Sequence, residues 1–134
     1  MGGLTLKSGK NCPEYQQNRF KNLNLKIFRT AMTKNNNWSL FMGHLVIEKL
    51  SKALFVKNQK DYPPLLHDLR RILEKAGVEI DEDKKIILDT VTRFNIKARY
   101  DDYKQNFYKL CTDNFTKEWV DKIKDTRLWI KSML

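Results

Sequence analysis

The segment Phe41-Met-Gly-His-Leu-Val-Ile-Glu-Lys-Leu-Ser-Lys-Ala-Leu54 constrains the fold more than any other. It reads as a helix that is apolar almost all round and carries one ordered polar line. His44, Glu48 and Ser51 stand at i, i+4 and i+7, on a single stripe. Met42, Val46, Leu50 and Ala53 form one apolar row, with Ile47 and Leu54 beside it. A helix of this kind must be covered on several sides, at the centre of a bundle or between subunits. Polar tips inside such a helix are most often structural hydrogen-bonding groups, because burial without a partner is costly. The stripe is also the first candidate for a site.

The remaining helices follow from spacing and punctuation. Leu23, Ile27, Phe28, Ala31 and Met32 predict a short first amphipathic helix, ended near Asn35-Asn36-Asn37, before the central helix from about Trp38 to Lys57. Pro63-Pro64 suits the first turn of a helix that continues through Leu65, Leu66, Leu69, Ile72, Leu73 and Ala76, with Gly77 as its C-cap and His67 in its first turn. Asp81 is an N-cap, with Glu82 and Asp83 favourable in the first turn of a helix through Ile87, Val91 and Phe94. From Phe94 to Tyr103 the period is lost, which predicts a connection over the end of the bundle, with a short helix near Phe107 and Leu110. Phe115, Trp119, Val120, Ile123, Trp129, Ile130 and Met133 predict a closing helix. The expectation is an all-α, up-and-down bundle of four to five helices.

With 134 residues the chain fits one domain and a single core. No apolar run approaches the ~20 residues that span a bilayer. The opening residues lack a signal-peptide core, and Leu6 breaks the myristoylation pattern, so cytoplasmic residence without membrane association is expected. Cys12 and Cys111 are lone thiols without CxxC spacing, so neither a metal site nor a disulfide is expected, and no cofactor motif is visible. Residues 1–39 carry seven of the 26 basic side chains and one of the 16 acidic ones. Residues 1–22 are therefore expected to be a basic polar arm, disordered in part, that touches polyanions.

Four segments resemble the HEPN (higher eukaryotes and prokaryotes nucleotide-binding) domain family. They are Phe41 to Leu50 with Lys52-Ala53-Leu54, Pro63-Pro64 followed by His67-Asp68-Leu69, Arg93-Phe-Asn-Ile-Lys-Ala-Arg-Tyr100, and Trp129-Ile-Lys-Ser132. The resemblance spans residues 23–134. It implies a helical bundle that forms a homodimer and acts beside a small nucleotidyltransferase in a toxin–antitoxin-like pair. Many members are metal-independent ribonucleases that use an Arg and a following His separated by four to six residues. There the His exchanges a proton with the ribose hydroxyl or leaving oxygen, and the Arg holds the phosphate. This chain departs from that motif: counted from Arg99, the eligible positions hold Lys104, Gln105 and Asn106, and no His follows His67.

Three readings remain open at this point. In the first, the protein binds a nucleotide or RNA without cleaving it, with Arg99 on phosphate, Tyr100 or Tyr103 as stacking or hydroxyl groups, and His44, Glu48 and His67 as further binding candidates. In the second, a displaced His44 or His67 supports ribonuclease chemistry. In the third, Arg99, Tyr100 and His67 only tie the connection between helices to the bundle, Arg99 bonding helix carbonyls or Asp101. The all-round apolar helix also predicts a homodimer contact around Leu40, Ile47 and Leu54.

Overall fold

A computed structural model describes residues 36–134. The predicted basic arm and first amphipathic helix lie outside the described residues. Within them the chain is all-α, a bundle of five helices: α1 (Asn36–Gln59), α2 (Leu69–Lys75), α3 (Glu82–Arg99), α4 (Asp101–Leu110) and α5 (Asp113–Met133).

The direction of each long helix follows from contacts at its ends. The Asn36 side-chain amide donates to the Cys111 carbonyl and to Asp113 Oδ1, both at 2.9 Å. At the opposite end Lys57 Nζ donates to the Met133 carbonyl at 2.9 Å. Helices α1 and α5 therefore run parallel. The Lys84 ammonium lies over the Trp129 ring, whereas Phe94 meets Phe115 and Trp119, so α3 returns in the opposite sense. The long helices thus run down, up and down, with α2 in the first connection and α4 in the second.

Local chemistry sets the boundaries. Asp68 Oδ1 accepts from the Arg71 N–H at 3.3 Å, Asp81 Oδ1 from Lys84 N–H at 2.8 Å, and Thr112 Oγ1 from Phe115 N–H at 3.2 Å. Each satisfies a backbone donor that the helix leaves open. Gly77 takes φ +83 just past α2, the left-handed position at which a side chain would be strained. The expected α2 is corrected at its start: it begins at Leu69, not near Pro63-Pro64. Leu65 is 99 % exposed, and His67 lies before the cap, outside the helix. The predicted irregular connection over 94–103 is also corrected. Helix α3 continues to Arg99, the single extended residue Tyr100 (φ −92, ψ 129) breaks it, and α4 starts at once.

Leu50, Leu54, Leu69, Leu73, Leu88 and Ile123 meet in one core, with α1 packed against every other helix. Leu40, Ile47 and Leu54 are fully or almost fully buried in that core, so they are not a surface on which a second copy could dock. The all-round apolar pattern of α1 reflects cover by the chain's own helices. A homodimer has to use another face.

Candidate functional site

The polar stripe on α1 is buried as its setting demands. His44 and Ser51 have no exposure, and 5 % of the Glu48 side chain is accessible. Their principal partner comes from the segment ahead of α2. His67 Nδ1 donates to Glu48 Oε1 at 2.7 Å, while the His67 carbonyl accepts from His44 Nε2 at 3.0 Å. Because a carbonyl only accepts, His44 carries its proton on Nε2, and its Nδ1 lone pair is buried without a partner among the described residues. The second oxygen of Glu48 lies 3.7 Å from Lys52 Nζ. One carboxylate is therefore shared by an imidazole and an ammonium, which offsets the cost of burying it.

His67 is thus fixed twice, through its carbonyl and through its ring, although 63 % of its side chain is exposed. Asp68 then caps α2, and the Leu69 N–H donates to Thr92 Oγ1 at 3.2 Å, which joins the same segment to α3. The cluster holds the 60–68 connection against α1 and α3. Ser51, the third member of the stripe, has a buried hydroxyl with no partner among the described residues and takes no part.

Burial drives the pKa of His44 below 6.5, outweighing the opposing influence of the His67 carbonyl and of Glu48, with Lys52 and His67 adding to the lowering. Folding therefore keeps this ring neutral, whereas the unfolded chain takes up a proton near pH 6.5. The contribution of His44 to stability is complete above that value and is lost as pH falls from 6.5 through its lower folded pKa. Thermal melts between pH 7.5 and 5 are expected to show a falling midpoint, with a flatter profile in His44→Gln, which retains a donor for the carbonyl. An unchanged slope in the variant would remove His44 as the cause.

The second group of candidates lies at the α3–α4 corner. Arg99 ends α3, Tyr100 is the extended residue between the helices, and Tyr103 sits in the first turn of α4. All three are exposed. The carboxylate that sequence offered to Arg99 is engaged elsewhere, since Asp101 Oδ1 pairs with Lys104 Nζ at 3.1 Å. No hydrogen bond or ion pair to another described residue holds the side chain of Arg99, Tyr100 or Tyr103. The corner is ordered by other groups: the Tyr100 N–H donates to the Ile96 carbonyl at 3.1 Å, and Phe94 packs on Phe107 at 5.4 Å between ring centroids. Lys97 and Arg99 occupy the last turn of α3, and Asp101 and Asp102 the first turn of α4, so each helix end meets the charge it favours.

The structure therefore brings His44, Glu48 and His67 together and leaves Arg99, Tyr100 and Tyr103 as a separate surface group. No hydrogen bond or ion pair among the described residues joins the two. Sequence reasoning missed Lys52 as a partner of Glu48, although a Glu four residues ahead of a Lys was a readable signal. It also missed a cleft beside α4, lined by Asn37, Lys104, Gln105, Tyr108 and Lys109. Among the described residues no cluster of three or more His, Cys, Asp or Glu could hold a metal ion. Cys111 is buried, and loss of solvation pushes its thiol up to about 11.

None of the described helices is long and apolar enough to cross a membrane. No curated protein and no solved structure matches the chain. The family model of the HEPN domain matches residues 28–133, which covers all five helices and both groups of candidate residues. The chain belongs to the HEPN domain family.

Proposed function

We propose that this protein binds RNA or a nucleotide at the α3–α4 corner without cleaving it, with Arg99 on a phosphate and Tyr100 and Tyr103 as platforms for bases. The observation that carries this reading is the combination at one corner of an exposed guanidinium and two exposed aromatic rings with no internal partner among the described residues. A guanidinium supplies charge-assisted hydrogen bonds to phosphate, and aromatic rings stack on bases of any identity. The membership of a nucleotide-binding family favours the same chemistry. Internal tying explains Arg99 less well, because Asp101 is paired with Lys104 and the helix carbonyl at Ile96 with a backbone N–H. A displaced ribonuclease, with His44 or His67 acting across the bundle or a dimer interface, is supported less, because His44 has no exposure and the His67 ring is engaged by Glu48. The family resemblance extends the proposal to a cytoplasmic homodimer paired with a small nucleotidyltransferase in a toxin–antitoxin-like system.

Titration of a fluorescent single-stranded RNA tests the reading. Arg99→Ala is expected to weaken binding by about 1.5–3 kcal/mol, the range for hydrogen bonds to charged groups, while stability falls only by the helix-end share of about 0.3–1 kcal/mol. The slope of log affinity against log salt should fall by about 0.7, the loss of one single-strand phosphate contact. A variant that melts earlier yet binds as the wild type does would return Arg99 to a structural role. Metal-independent cleavage abolished by His44→Ala or His67→Ala would favour the ribonuclease instead.

A further inference from the structure

Helix α3 carries a seam on its solvent side. Leu88, Val91, Phe94 and Asn95 are its buried residues, whereas Glu82, Ile86, Asp89, Arg93 and Ile96 follow one another on the opposite side at steps of four, three, four and three residues. That alternation averages 3.5 residues, the repeat of a helix that packs lengthwise on another helix. Ile86 is 63 % exposed and Ile96 45 %. A lone exposed isoleucine is ordinary on a protein surface. Two of them in phase on one seam, with an acidic and a basic side chain between them, form a pattern.

The seam is complementary to itself only when reversed. Turned end to end about the middle of the helix, it sets Ile86 on Ile96 of a second copy and Asp89 on Arg93 of that copy, and each pair recurs with the copies exchanged. A parallel arrangement sets Asp89 on Asp89 and Arg93 on Arg93, with like charges at the centre of the contact. The charges are available. Asp89 Oδ2 accepts from Arg70 Nη1 at 3.2 Å, and Arg70 is shared with Glu74, which leaves Asp89 Oδ1 open. Arg93 is exposed and makes no ion pair to another described residue, although Asp89 stands one turn away. The helix ends agree with the same direction. Glu82 and Asp83 occupy the first turn and Lys97 and Arg99 the last, so reversed copies meet opposite charge at both ends.

We propose that a second copy of this chain docks on α3, the two α3 helices packed antiparallel along this seam. This rests on the homodimer of the proposed function and gives it a surface, which the buried Leu40, Ile47 and Leu54 do not offer. A contact led by one helix from each copy lies at the small end of specific interfaces, so the expected association is micromolar. The central Asp89–Arg93 pairs set register and direction more than they add affinity. In this arrangement the two Arg99 corners stand toward opposite ends of the contact, about 24 Å apart along the helix axis at 1.5 Å per residue, and each copy keeps its own.

Sedimentation equilibrium of the full chain at micromolar concentrations is expected to show a monomer–dimer equilibrium. Arg93→Asp and Asp89→Arg should each raise the dissociation constant at least tenfold while the chain stays folded by circular dichroism. An equimolar mixture of the two variants should dimerise again, because each carries the charge that the other lacks. Disulfide trapping reads the register: Ile86→Cys mixed with Ile96→Cys should cross-link and neither should link to itself, with the wild-type chain as the control for Cys12 and Cys111. A monomer at every concentration would overturn the seam together with the homodimer. A dimer that tolerates both charge reversals, or an Ile86→Cys chain that links to itself, would overturn the seam and leave the homodimer to another face.

Discussion

Phe94→Ala is expected to lower stability by about 3–5 kcal/mol, the range for truncating a buried aromatic ring. Phe94 is 1 % exposed and lies at the junction of three helices. Its ring is 5.4 Å from Phe107, 6.2 Å from Phe115 and 5.4 Å from Trp119, the last perpendicular. Such aromatic pairs add about 0.5–1.5 kcal/mol each beyond the area they bury. Since Phe107 is the buried residue of α4, loss of the facing ring also releases the helix that carries Tyr103 and the cleft. Urea denaturation gives the stability change, and near-ultraviolet dichroism reports Trp119 in the folded variant. A loss below about 1 kcal/mol would show that α4 is held by something other than this cluster.

The second large effect belongs to Gly43. A Cβ built at this position would stand 2.7 Å from Ile123 Cδ1 and 3.3 Å from its Cγ2. Ile123 has no exposure; the branch at Cβ fixes its Cγ2, and its Cδ1 withdraws only by turning about χ2 into a filled core. Alanine gains about 1 kcal/mol over glycine in a helix, against about 1–3 kcal/mol for overpacking a filled core. The expected balance for Gly43→Ala is a loss of about 1 kcal/mol. Gly43→Leu adds three further carbons to the same contact and should reach about 3 kcal/mol, the upper end of the overpacking range. In an Ile123→Val background Gly43→Ala should cost less than it does beside Ile123, and an unchanged cost would mean the overlap with Ile123 is not its origin.

Legibility differed between these elements for physical reasons. Helix α1 was readable because an apolar surface almost all round leaves it only a central position, and the stripe of His44 and Glu48 is buried where the spacing put it. The start of α2 was not. Leucines at 65, 66 and 69 keep helical spacing, yet Asp68 captures the Arg71 N–H and fixes the boundary after them, leaving Leu65 in solvent. The α3–α4 corner hid its helices because Tyr100 inserts one extended residue, which resets the phase between Phe94 and Phe107 although the two rings touch. The partner of Glu48 was equally hidden. His67 lies 19 residues away, across a connection, and a contact made through a loop leaves no period in the sequence. Arg99, Tyr100 and Tyr103 stand out in the sequence where the helical period breaks and charge gathers with aromatic rings, whereas Tyr108 and Lys109 sit inside a short helix that carries no such signal.

The corner at Tyr100 places two demands on the same guanidinium. Arg99 closes α3, where a cation is worth about 0.3–1 kcal/mol to the helix, and on the proposed reading it is also the group offered to phosphate. A bound anion draws that cation away from the α3 carbonyls, so occupancy and the firmness of the corner are thermodynamically linked, each opposing the other by the same amount. The phosphate contact, at about 1.5–3 kcal/mol, outweighs the helix-end share. On the proposed reading, RNA bound at Arg99 would withdraw a favourable charge from the end of α3, and a partner that firms this helix end would oppose RNA binding without touching the same atoms.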